Sequence, residues 1–154
     1  SQLDRFMIKL SMGYPDPASE IAILKDRQGA NPLNDVKQVV DGKDIVMMQE
    51  ETDNLHMDDA IIEYITMLSF ATRQNPLIEL GVSPRGSIAL AGMSKARAYI
   101  SGRTYVTPED VQSIFKDVAG HRIILNPRAK ISSVTIDEVI DNIFRTVPVP
   151  RAMR

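Results

Sequence analysis

The chain has 154 residues, 44% of them apolar and 25% charged, with a net charge of −2; this suits one soluble domain with a sizeable core and argues against a general polyanion binder, which gathers Lys and Arg on one face. It has no cysteine, which excludes disulfides, thiolate catalysis and cysteine-bound zinc and leans toward a reducing compartment. No apolar run reaches the roughly 20 residues that span a bilayer, and the N-terminus lacks a signal-peptide pattern, so the expected setting is cytoplasmic, without a membrane partner.

The predicted elements are mostly helical. Phe6, Ile8 and Leu10 alternate with Arg5, Met7 and Lys9, a strand pattern. Gly13-Tyr14-Pro15-Asp16-Pro17 breaks it, and Asp16 can cap a helix with Pro17 at its first position and Gly29 at its end. Asn31 to Gly42 reads as a loop with an extended piece at Val36–Val40, followed by a short helix from about Asp44 to Glu51. Ile61, Tyr64, Ile65, Leu68 and Thr72 then fall on one helical face, with Asp58 and Asp59 in its first turn. That helix ends near Asn75, because the residue before Pro76 is pushed out of helical geometry.

The next helix opens at Ser83-Pro84 and stops at Gly102. Its apolar residues, Ile88, Leu90, Ala91, Met93, Ala96, Ala98, Tyr99 and Ile100, cover most of the circumference, which predicts a central helix. Thr107-Pro108-Glu109-Asp110 starts another, with Val111, Ile114, Phe115 and Val118 on its buried face. Thr135 and Glu138 form a capping box ahead of Val139, Ile140, Ile143 and Phe144, and Pro148 and Pro150 end the ordered chain. Tyr105-Val106 and Ile123-Ile124-Leu125 are candidate short strands. The expected fold class is all-α: a bundle of five to six helices with at most a minor two-stranded β element.

Several candidate sites have plain structural explanations. Gly81 and Gly86 have the spacing of a phosphate loop, but Ser87 and Ile88 stand where Lys and Ser/Thr are needed, so nothing would reach the terminal phosphates. Val134-Thr135-Ile136-Asp137-Glu138 resembles a magnesium-holding run, yet the capping box accounts for it and no strand-length apolar run precedes Asp137. His56 and His121 lack the spacing of a helical metal pair, so no metal site is expected. His121 and Arg122 near a helix end read as charges placed on the C-terminal dipole. Arg5, at a strand edge, carries no signal alone.

Arg85 is different. It lies in the first turn of the most apolar helix, where a positive charge opposes the dipole by roughly 0.3–1 kcal/mol. A helix N-terminus and a cation together can hold an anion. An exposed arginine reaching back to Glu79 or another acid explains the position equally well.

The order of the segments resembles one family. Leu3-Asp4-Arg5-Phe6 with its alternating run is similar to the arginine-finger segment and last core strand of MoxR-type AAA+ ATPases. Gly13-Tyr14-Pro15 resembles the entry to that family's lid, and Tyr64-Ile65 with Ala71-Thr72-Arg73 a block within it. Gly81-Val82-Ser83-Pro84-Arg85-Gly86 resembles the sensor-2 motif. Ala96-Arg97-Ala98, Gly102-Arg103, Tyr105 to Val111 and His121-Arg122-Ile123 resemble the later lid blocks.

The resemblance implies residues 1–12 as a remnant of the core and 13–154 as the helical lid with sensor 2. Arg85, with Ser83 and Pro84, would contact ATP phosphates; whether it serves its own subunit or the next stays open. Arg5 would be an arginine finger acting in a neighbouring subunit, a role worth roughly 10³–10⁵ in rate. The parent would be an ATP hydrolase using ATP and magnesium, in a ring, commonly a hexamer, with its own core and neighbouring subunits as partners. It would remodel a client protein in a chaperone-like way or help insert a metal cofactor, with a von Willebrand-type metal-adhesion protein as a further partner. This segment alone lacks the phosphate loop and magnesium acid, so it is expected to be inactive and to bind no cofactor, and its strand at 5–10 is expected to fray or pair opportunistically. The alternatives are a stand-alone helical interaction module with no nucleotide role, and a DNA-binding helical domain, which the acidic balance disfavours.

Overall fold

A computed structural model describes residues 2–28 and 31–150. The chain divides into two compact units, Ser1–Lys9 with Glu50–Arg154, and Leu10–Gln49.

The smaller unit holds α1 (Pro17–Asp26), a 3-10 turn at Pro32–Asp35 and most of α2 (Gly42–Asp53). Asp16 caps α1 by accepting a hydrogen bond from the Ser19 amide at 2.7 Å, with Pro17 in the first turn, as the Asp-Pro pair predicts. The expected end of this helix at Gly29 lies outside the described residues. The extended piece expected at Val36–Val40 forms no strand. None of this unit's described residues is buried.

The larger unit contains α3 (Asp59–Gln74), α4 (Pro84–Ile100), α5 (Pro108–Ala119), α6 (Pro127–Ile131) and α7 (Ile136–Thr146). Two short strands, β1 (Ile78–Leu80) and β2 (Ile124–Leu125), pair antiparallel with an irregular register. The fold is therefore a helical bundle with a minor two-stranded element. Leu68, Val82, Leu90, Val111, Phe115, Val118, Val139 and Ile143 fill its core, and the Phe115 and Phe144 rings meet edge to face at 5.4 Å.

Three expectations need correction. The alternating run after Arg5 is not a strand: the chain makes a 3-10 turn at Leu3–Arg5 and continues without regular structure, with Phe6 64% exposed. Its carbonyls are taken by a side chain of the bundle instead of a neighbouring strand, as described below. Of the candidate strands, only Ile124-Leu125 forms; Tyr105 makes an isolated bridge with His56. The partner strand β1 was hidden by Pro76 and by its length of three residues. Finally, α4 is not buried all round. Gly86, Ala89, Leu90, Ser94 and Ala98 face inward, while Ile88 and Ile100 are 73% and 79% exposed.

Caps fix where the helices begin. Thr135 and Glu138 exchange hydrogen bonds at α7. At α5, Asp110 accepts from the Thr107 amide at 2.9 Å and from both terminal nitrogens of Arg103, at 2.5 and 2.6 Å. The Asp110 side chain is only 3% exposed. Burial pushes its carboxyl upward, but the bonds from Arg103 and Thr107 outweigh this and hold it below the usual range.

A carboxyl so depressed stabilises the fold above its unfolded value, near 3.9, and loses that contribution as pH falls through the folded value. Asp110→Asn should therefore cost about 1–3 kcal/mol at pH 7, read by urea unfolding. The gap to wild type should narrow as pH drops below about 4. An equal gap at pH 7 and pH 3 would contradict this account.

Candidate functional site

The site is built from the end of α3, the turn at 81–83 and the first turn of α4. Thr72 Oγ1 donates to the Ser69 carbonyl at 2.6 Å and accepts from the Val82 amide at 2.9 Å. Arg73 Nε donates to the Val82 carbonyl at 2.7 Å. Both main-chain groups of Val82 are thus held by adjacent α3 side chains, and the Val82 side chain is buried. Gly81 crosses α3 so closely that a Cβ there would lie 2.8 Å from the Thr72 carbonyl carbon and the Arg73 nitrogen. The Ala71-Thr72-Arg73 and Gly81-Val82 blocks therefore act together, as a bolt that fixes where α4 starts.

Ser83 caps α4 by accepting from the Gly86 amide at 3.2 Å. Pro84 has no N–H to offer, and the first turn contains no acid, unlike α3, α5 and α7. The Arg85 side chain is exposed and has no hydrogen bond or ion pair among the described residues, so neither Glu79 nor another acid of this unit holds it. An anion would meet the positive end of the helix dipole and a free guanidinium together.

Behind this turn lies Arg122, whose role the sequence reading missed. Its side chain is 2% exposed. As expected of a charge near a helix end, it caps the last carbonyls of α5, donating to Val118 O. It does more than that. Nε donates to Asp4 Oδ1 at 3.0 Å, and the terminal nitrogens donate to Phe6 O at 2.6 Å, Met7 O at 3.1 Å and Asp4 O at 3.3 Å. His121 Nε2 lies 3.1 Å from the same Phe6 carbonyl, and the Lys9 amide donates to Asp117 O at 2.9 Å. The N-terminal segment is thereby fastened to the end of α5 rather than frayed. The one available signal was a cation set among Val118, Ala119, Ile123 and Ile124, where a solvated charge is out of place.

Arg5, at the end of the 3-10 turn, is exposed; its amide donates to the Gln2 carbonyl at 3.2 Å, while its side chain has no partner among the described residues. The structure brings its segment to α4: Ser83 Oγ donates to both oxygens of the adjacent Asp4 at 3.1 Å. The remaining candidates are engaged elsewhere. Asp137 pairs with Lys116 at 2.6 Å and Glu138 caps α7. Two surface cavities, of about 480 Å³ beside Asn75–Leu77 and α7 and about 420 Å³ between His56 and Glu109, are lined by neither Arg5 nor Arg85.

Gly86 packs against the buried guanidinium. A Cβ there would lie 2.6 Å from Val82 Cγ1 and 2.9 Å from Arg122 Cδ. Gly86→Ala should therefore destabilise the bundle by about 1–3 kcal/mol despite alanine's better helix propensity. Thermal unfolding checks this, and an unchanged or raised midpoint would contradict it.

Residues 70–143 match the AAA lid domain family. Over 97% of its length the chain is 39% identical to YeaC of Bacillus subtilis, and over 98% it is 31% identical to Chaperone MoxR1 of Mycobacterium tuberculosis. It covers 47% and 42% of those relatives, so the chain spans just under half the length of the curated proteins it matches. The crystal structure of a candidate ATPase from Cytophaga hutchinsonii is similar over 97% of this chain and 48% of its own, with a TM-score of 0.87 and 30% identity.

Proposed function

The chain belongs to the MoxR-type AAA lid family, and from that premise we propose that it is the nucleotide-sensing part of an ATP-hydrolysing ring. Arg85 is the sensor-2 cation. It sits at the mouth of α4 with no competing partner, on a turn that α3 holds rigidly, and that observation carries the proposal. Ser83 and Pro84 shape the turn, and Ser83 keeps its hydroxyl on the helix cap while the guanidinium reaches outward to the phosphates.

Arg5 is the arginine finger, presented by the 3-10 turn to a neighbouring subunit. Charge that develops on the transferred phosphoryl in the transition state is met by such fixed cations. ATP would supply that phosphoryl, and magnesium held by a nucleotide core would offset part of its charge. The chain's own residues bind, orient and report. The two cations are exposed where a core and a second subunit would supply the rest of the site.

A chaperone-like action on a client protein, or help in inserting a metal cofactor, is the proposed use of the cycle. One relative carries the word chaperone in its name. A client or a von Willebrand-type metal-adhesion partner would take its specificity from surfaces outside this site. No helix among the described residues is long and apolar enough to cross a membrane.

In the full-length protein, Arg85→Ala should lower ATP turnover at least tenfold, with circular dichroism unchanged. Arg5→Ala should lower hydrolysis by about 10³-fold, leaving a measurable residual turnover, while nucleotide binding persists. Mixing Arg5→Ala subunits with subunits that lack a working phosphate loop but keep Arg5 should restore activity, because the finger then comes from the neighbour. Near-normal turnover of Arg85→Ala removes that residue from the site, and a failure of mixing to restore activity removes the in-trans role of Arg5.

A further inference from the structure

The two proposed nucleotide-facing arginines are joined by a single carboxylate. Asp4 directly precedes Arg5, and Ser83 stands two residues before Arg85. The Ser83 hydroxyl spans the two oxygens of Asp4 at 3.1 Å each. Arg122 Nε donates to one of those oxygens at 3.0 Å, and its Nη2 donates to the main chain on either side of Arg5, at Asp4 O and Phe6 O. The same guanidinium stem passes so close to Gly86, the residue after Arg85, that a methyl group would not fit between them. Arg5 and Arg85 are therefore mounted on either side of one junction, and neither segment can shift without disturbing it.

We propose that Asp4 is a positioning residue that sets the spacing and orientation of Arg5 relative to Arg85, so that each cation is presented to nucleotide from a fixed mount. Three features distinguish this from ordinary packing. The carboxylate is about one-third exposed, whereas Arg122 is almost fully buried, so the junction lies at the rim of the unit where the cations emerge. The hydrogen bond is donated by the same hydroxyl that caps α4, so Asp4 also helps orient the capping side chain at the first turn. The buried guanidinium makes bonds on both sides of Arg5 and none to the Arg5 side chain, which fixes the main chain and leaves the functional group free. Preorganised charges act because they need no rearrangement when the transition state forms, and a displacement of about 1 Å can cost on the order of 10²-fold in rate.

This inference rests on the reading of Arg5 and Arg85 as nucleotide-facing cations, and a double-mutant cycle in the full-length ATPase separates the two. Asp4→Ala should lower kcat at least tenfold with little change in KM for ATP and in the far-ultraviolet circular dichroism. Asp4→Asn, which leaves an acceptor for the buried guanidinium, is run in parallel as the milder variant; its kcat should fall severalfold. In an Arg5→Ala, Arg85→Ala background the same substitutions should change the residual kcat by less than twofold, because nothing remains to be positioned. Wild-type kcat in the folded Asp4 variants would overturn the positioning role while the single arginine variants still report on the cations. So would an equal fold-loss in both backgrounds, the result expected of a merely structural contact. Near-normal turnover of Arg5→Ala and Arg85→Ala alone would instead overturn the reading beneath it.

Discussion

A single buried guanidinium organises the part of the larger unit that carries Arg5 and Arg85. Placing Arg122 among apolar side chains carries a desolvation cost of several kcal/mol unless its donors are met, and here they are met by one carboxylate and four carbonyls. Those acceptors come from the end of α5 and from a segment 115 to 118 residues away in sequence. The N-terminal segment has little regular structure, and Arg122 supplies the order that hydrogen-bonded strands would otherwise provide. The same side chain excludes a methyl group at position 86 and so constrains the first turn of α4.

The second constraint is the bolt at the other end of that turn. Val82 has its amide and carbonyl held by Thr72 and Arg73, and Ser83 then caps the helix. With the backbone pinned on both sides, Arg85 projects from a rigid mount. The other well-formed helices of the unit place acids in their first turns, which the dipole favours. In α4 the sign is reversed and the cost is local, a few tenths of a kcal/mol to about 1 kcal/mol. A guanidinium without a partner there leaves the positive end of the dipole unopposed by any acid of the first turn.

Much of this was legible in the residues because helix starts are local events. Asp16-Pro17, Ser83-Pro84, Thr107-Pro108 and the Thr135–Glu138 pair each satisfy orphan amides within three or four positions, and the helices begin where they indicate. Arg85 also stands out locally, as a charge on the wrong end of a dipole. What failed to show was non-local. The run after Arg5 alternates like a strand, but alternation cannot say whether a sheet is there to receive it. The pairing of Ile78–Leu80 with Ile124–Leu125 closes a long loop from three- and two-residue pieces, too short for periodicity to register. Arg122 was read as a capping charge, and it is one; its bonds to Asp4, Phe6 and Met7 lie beyond any window of local spacing.

The central claim is that nucleotide is felt at the first turn of α4. Amide hydrogen exchange in the full-length protein tests this directly, by comparing residues 82–90 with and without ADP and magnesium. The account predicts slower exchange at these amides when nucleotide is bound, and loss of that protection in Arg85→Ala. Identical exchange in the two states, with nucleotide binding verified in the same sample, would contradict it.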